Sequence, residues 1–129
     1  MVLLWQSCGL VVPWYDPSLD IDRKLSVDPD LFLTGHIDGK VVASVMGGYE
    51  GHRGWINFLA VLPEYQLCGY GKEIMSAIEK KIAERGCPKI NLQVRSYNTG
   101  VIEFYKHIGY LDDEVVSFGK KLIVDQVEE

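Results

Sequence analysis

The chain has 129 residues, enough to bury one hydrophobic core but not two, so a single domain spanning residues 1–129 is expected. With 47% hydrophobic and 24% charged residues and a mean hydropathy of +0.02, its composition is that of an ordinary globular domain. A net charge of −5 and a pI near 5.2 provide no basic face for a phosphate backbone, so nucleic acid is excluded as an expected partner.

The opening stretch, MVLLWQSCGLVV, is apolar but carries no basic residue, and Gln6 and Ser7 interrupt it early. It reads as part of the folded domain, neither a signal peptide nor a membrane span, and no membrane partner is expected. Residues 2–8 have the pattern of the end of an amphipathic helix. A second helix is predicted over 19–27, with Ser18 as N-cap and Asp20 and Asp22 in the first turn. The period then changes. DLFLTGHIDGKVVASVMGGY contains two β-rich runs around Asp38-Gly39, a dipeptide suited to the positive φ angles of a tight hairpin turn. EGHRG makes a second turn, and WINFLAV follows as a third strand that its apolar run predicts to be buried on both faces.

After Pro63 the pattern is helical. Ile74, Met75, Ile78 and Ile82 form one stripe, while Lys72, Glu73, Glu79, Lys80, Lys81 and Glu84 are predicted to face water. Gly86 and Pro88 end that helix. KINLQV, residues 89–94, is another strand. Asn98 is placed to cap a second helix with the stripe Val101, Phe104, Tyr105 and Ile108, stopped by Gly109. A final strand is predicted over 115–123, before the acidic tail DQVEE. The order predicts an α+β domain with a mixed sheet and a strand-helix-strand crossover at its centre. Three cysteines, Cys8, Cys68 and Cys87, are widely spaced and odd in number, which argues against structural disulfides or a metal site and for a reducing cytoplasm.

The informative stretch is PEYQLCGYGKEIM, where two glycines fall between a buried strand and a helix. Glycine weakens a helix and adds nothing to a core. A glycine-bearing turn at a helix start is, however, an anion site in outline, because unpaired N–H groups converge there and the helix dipole adds positive potential. A Walker loop fails on spacing, and Glu73 stands where its magnesium-binding hydroxyl should follow Lys72. The dinucleotide fingerprint fails because Ile74 occupies its third glycine position.

A third pattern, [Q/R]-x-x-G-x-[G/A], is met by Gln66-Leu67-Cys68-Gly69-Tyr70-Gly71. With LAVLPEYQ before it and NTGVIEFYKHIGY after it, the chain resembles the GNAT N-acetyltransferase superfamily over roughly residues 30–123. Further stretches, PWYDPSLDIDRK, VMGGYEGHRG, ERGCPKI and FGKKLI, resemble bacterial members. The resemblance implies the acyl-CoA N-acyltransferase fold, a mostly antiparallel twisted sheet. It also implies acetyl-CoA as co-substrate, no metal, and an amine on a small molecule or peptide as acceptor. By position, N–H groups of Leu67, Cys68, Gly69, Tyr70, Gly71 and Lys72 would hold the CoA pyrophosphate, with Gln66 beside them. Leu59, Ala60 and Val61 would pair with the pantetheine arm, one N–H near Val61 polarising the thioester carbonyl. Asn98 would contact the cofactor arm, and Tyr105 would protonate the leaving thiolate. A phenol of pKa about 10 is protonated at neutral pH and can donate to a thiolate whose acid has a pKa of about 8.5.

Two departures qualify the resemblance. Members that acetylate protein N-termini read L-E-V-R on the second central strand, whereas this chain reads Leu92-Gln93-Val94-Arg95, and Gln93 cannot accept a proton. Either the acceptor is an amine of low pKa, or Glu50 or His52 serves as the base. The family also opens with a strand and a full helix, and this chain is expected to begin partway through that helix. Either the fold tolerates the missing edge strand, or a second copy covers the exposed edge as a homodimer. Both departures keep open an alternative role as a catalytically weak acyl-CoA-binding sensor or interaction protein with the same fold.

Overall fold

The computed structural model describes residues 29–123. The helices expected over 2–8 and 19–27, the start of the chain on which the first-strand expectation rests, and the acidic tail lie outside the described residues. A short 3-10 turn, Pro29–Leu31, leads into β1 (Phe32–Ile37), β2 (Lys40–Tyr49), β3 (Gly54–Val61), a second 3-10 turn (Pro63–Tyr65), α1 (Tyr70–Glu84), β4 (Ile90–Leu92) and α2 (Thr99–His107). The four strands form one sheet in the order β1-β2-β3-β4. β1, β2 and β3 are antiparallel neighbours, and β4 joins β3 in parallel after the α1 crossover, which is the predicted mixed sheet.

Local chemistry accounts for these elements. Asp38 (φ 50°) and Gly39 (φ 77°) both take the left-handed conformation that a two-residue hairpin turn requires. In α1 the stripe Ile74, Met75, Ile78 and Ile82 is buried against the sheet, where it meets Leu31, Ala43, Val45 and Ile56. Tyr105 from α2 completes this core. Arg85, at the end of α1, pairs with Asp30 and ties the helix to the start of β1. No helix among the described residues is long and apolar enough to cross a membrane.

Four expectations are corrected. β3 is not buried on both faces: Gly54, Ile56 and Ala60 are buried, Asn57 is exposed and the others are half-buried, because only one face packs against α1. Glu79 is half-buried and accepts a hydrogen bond from the Tyr110 hydroxyl at 2.6 Å, so it does not simply face water. Val101 is exposed and Ile102 takes its place on the inner face of α2, one position round the helix from the predicted stripe. Residues 115–123 form no strand. Strand propensity in Val115, Val116 and Phe118 is not sufficient without a ladder partner, and every residue over 111–123 is exposed. Side chains of β4 and the residues flanking it reach this segment: Lys89 to Asp113 (3.0 Å), Asn91 to Asp113 (2.7 Å) and Gln93 to Ser117 (2.6 Å).

Candidate active site

Two features open the sheet beside the glycine turn. The β2–β3 ladder pairs Ser44 with Ala60 and Met46 with Asn57, so Val45 alone faces both Phe58 and Leu59. This bulge places Phe58 at φ 52°, a conformation a bulky side chain adopts only when its surroundings enforce it. β3 then continues to Val61, whereas its ladder with β4 ends at Ile56–Leu92. Beyond that point the two strands no longer share ladder bonds, and the main chain around Leu59, Ala60 and Val61 borders the opening.

The turn that follows brings the chain to the head of α1. Gln66 donates its side-chain amide to the Val61 carbonyl at 2.8 Å, bracing the turn against the end of β3. Leu67 (φ 63°) and Gly69 (φ 84°) both have left-handed backbones, and Gly69 is the N-cap of α1, its carbonyl accepting from the Glu73 N–H at 3.0 Å. The N–H groups of Tyr70, Gly71 and Lys72 are those a helix start leaves without intrahelical acceptors. Leu67, Cys68, Gly69 and Lys72 are exposed, so this end of the dipole faces solvent beside a lysine.

The two glycines differ in what they permit. A Cβ on Gly69 would meet nothing within 4 Å, so its requirement is conformational. A Cβ on Gly71 would lie 3.1 Å from Phe104 Cζ and 3.8 Å from Val61 Cγ2. Gly71 therefore marks the point where the start of α1, the end of β3 and α2 converge. Phe104 could not be identified from sequence as the reason for this glycine, since the two are 33 positions apart.

Tyr105, next to Phe104, is the buried residue of α2, only 8% exposed. Burial pushes its phenol up to about 12, which keeps it protonated at neutral pH. Among the described residues its hydroxyl has no hydrogen-bond partner. Asn98 occupies the N-cap position of α2, but its side chain makes no capping bond, which leaves the amide available.

Other predicted residues lie elsewhere. Glu50 and His52 are exposed on the β2–β3 turn, at the far end of β3 from Leu59, Ala60 and Val61. At about 3.3 Å per residue the separation along the strand is on the order of 20 Å. Gln93 is exposed and engaged by Ser117. A cavity of about 380 Å³ lies on another side of α1, between β1 and the helix; Tyr70 is the one predicted site residue that lines it.

The sequence of residues 1–110 matches the profile of the acetyltransferase (GNAT) family. The chain is 48% identical over 126 residues to an acetyltransferase of Yersinia pestis (strain Pestoides F), covering 98% of this chain and 89% of that protein. The fold is similar to that of Ard1 from Thermoplasma volcanium, with a TM-score of 0.75 and 24% identity over 84% of this chain and 72% of the other. It is also similar to the aminoglycoside N-acetyltransferase AAC(6')-Iy in complex with CoA, with a TM-score of 0.65 and 19% identity over 82% and 86% of the two chains. The glycine turn, the parallel crossover that carries it and the match across most of the chain lead to one assignment: this chain belongs to the GNAT acetyltransferase family.

Proposed function

We propose that the chain transfers an acetyl group from acetyl-CoA to an amine by direct attack in a ternary complex, with Tyr105 as the acid. The observation that carries this reading is the convergence at Gly71, where the open helix start, the end of β3 and the helix bearing Tyr105 meet. Acetyl-CoA, when bound, supplies an activated thioester carbonyl and a thiolate leaving group.

The chain's own groups then have distinct tasks. The N–H groups at the head of α1, with the Gly69 turn and Lys72, fit the charge of a pyrophosphate. The main chain of Leu59, Ala60 and Val61 forms β-type bonds to the pantetheine arm, and an N–H of this stretch polarises the carbonyl. Asn98 binds the same arm from α2. Tyr105 donates its proton to the departing sulfur, and burial keeps that proton in place up to strongly alkaline pH. Holding both reactants in line supplies much of the rate enhancement.

With Glu50 and His52 at the wrong end of β3 and Gln93 unable to accept a proton, the geometry favours an acceptor amine that is already partly neutral. An amine of pKa about 10.4 costs roughly 4–5 kcal/mol to deprotonate at pH 7, one near 8 only about 1 kcal/mol. Free Cys68 and Cys87 thiols suit a reducing cytoplasm. Thiol release from acetyl-CoA against a panel of small-molecule, amino-acid and peptide amines tests the proposal. Tyr105→Phe is expected to lower kcat about ten- to a hundredfold with little change in CoA affinity, and Glu50→Gln to leave the pH–rate profile unchanged. A Tyr105→Phe variant with full kcat removes the acid, and loss of the acidic limb in Glu50→Gln restores that carboxylate as base. Binding without release on any amine favours the sensor role.

A further inference from the structure

Tyr105 is held from behind by a second tyrosine that the transfer reaction does not itself require. Gly109 turns the chain at the end of α2 (φ 105°), and the Tyr110 N–H donates to the Tyr105 carbonyl at 2.9 Å. The two rings meet edge to face, with centroids 5.7 Å apart and planes at 71°. On its other side the half-buried Tyr110 hydroxyl donates to Glu79 Oε2 at 2.6 Å, a charge-assisted bond in a partly desolvated site. Glu79 belongs to α1, the helix whose first residues form the anion-binding end. A continuous link thus runs from the α1 shaft through Glu79 and Tyr110 to the Tyr105 ring, while Phe104 anchors the same stretch of α2 at Gly71.

We propose that Tyr110 is a positioning residue for Tyr105: fixed by Glu79, its ring sets the plane and depth of the Tyr105 ring so that the unpartnered Tyr105 hydroxyl points to the leaving sulfur. The proposal rests on the reading of Tyr105 as the acid and adds to it the device that aims the acid. Burial and the Glu79 bond also raise the Tyr110 phenol well above its ordinary value, so this link keeps its donor proton throughout the range in which Tyr105 keeps its own.

The experiment is thiol-release kinetics with acetyl-CoA and the best panel amine for Tyr110→Phe, Tyr105→Phe, their combination, Glu79→Gln and Glu79→Ala, each below its measured Tm. Tyr110→Phe keeps the ring contact and loses only the bond; kcat is expected to fall about tenfold, with KM for acetyl-CoA unchanged. Glu79→Ala should reproduce that loss, and Glu79→Gln, whose amide oxygen still accepts, should restore most of the rate. Added to Tyr105→Phe, the Tyr110→Phe change should cost nothing more, because it acts through the group already removed. Wild-type kcat in Tyr110→Phe overturns the proposal, as does a full additional loss in the combined variant or equal behaviour of Glu79→Gln and Glu79→Ala. Full kcat in Tyr105→Phe alone instead removes the acid reading, so the two failures are distinguishable. Independently of any acceptor, ring resonances of Tyr105 in ¹³C-tyrosine-labelled protein saturated with CoA should shift or broaden in Tyr110→Phe while the CoA dissociation constant holds. Unchanged resonances contradict the proposal.

Discussion

A Cβ on Gly71 would stand 3.1 Å from Phe104 Cζ, whereas one on Gly69 would meet no atom within 4 Å. The two residues should therefore fail in different ways. Gly71→Val forces α2 away from the head of α1 and is expected to cost about 1–3 kcal/mol of stability, read as a lowered Tm; an unchanged Tm would show that Phe104 yields without penalty. In sequence the glycine pair was legible as a turn at a helix start, because both glycines fall where a strand gives way to a helix. That one of them serves helix packing was not legible, since Phe104 is distant in the chain. The same holds for Glu79 and Tyr110. Glu79 lies on the polar side of its helix by periodicity, and only the tertiary fold brings a phenol to it at 2.6 Å.

At the scale of elements, the geometry of the candidate site comes from where pairing stops. β3 outlasts its ladder with β4, and the bulge at Phe58 bends it at the same place. Apolar pattern identified β3 as a strand but could not show the bulge, because a bulge depends on register with β2. The segment after α2 illustrates the converse. Val115, Val116 and Phe118 suggest a strand from propensity, yet the segment is exposed throughout, and β4 touches it only through side chains. Its backbone is accordingly expected to open at little cost. Limited trypsin treatment should cleave after Lys120 or Lys121 well before Lys80 or Lys81, which lie on the folded shaft of α1, as mass spectrometry of early fragments would reveal. Early cleavage within α1 would contradict this ordering.

For the whole molecule, two buried or half-buried phenols couple stability to alkaline pH. Burial pushes Tyr105 up to about 12, and burial with the Glu79 bond pushes Tyr110 up further, against about 10 in an unfolded chain. Above pH 10 the unfolded chain releases protons that the folded chain retains, so stability is full below about 10 and falls as pH rises toward 12. The wild-type Tm should drop more steeply across that window than that of the Tyr105→Phe, Tyr110→Phe double variant; parallel curves would refute the coupling.

The central claim is that the Gly69 turn at the head of α1 binds the CoA pyrophosphate. Isothermal titration of CoA into the wild type and Gly69→Val tests it most directly, because valine at a left-handed position costs about 1–2 kcal/mol locally and closes no other contact. The account predicts one CoA per chain for the wild type and a loss of binding in a variant that retains its circular dichroism. Wild-type protein that takes up no CoA, or a folded Gly69→Val protein that binds as tightly as the wild type, would contradict it.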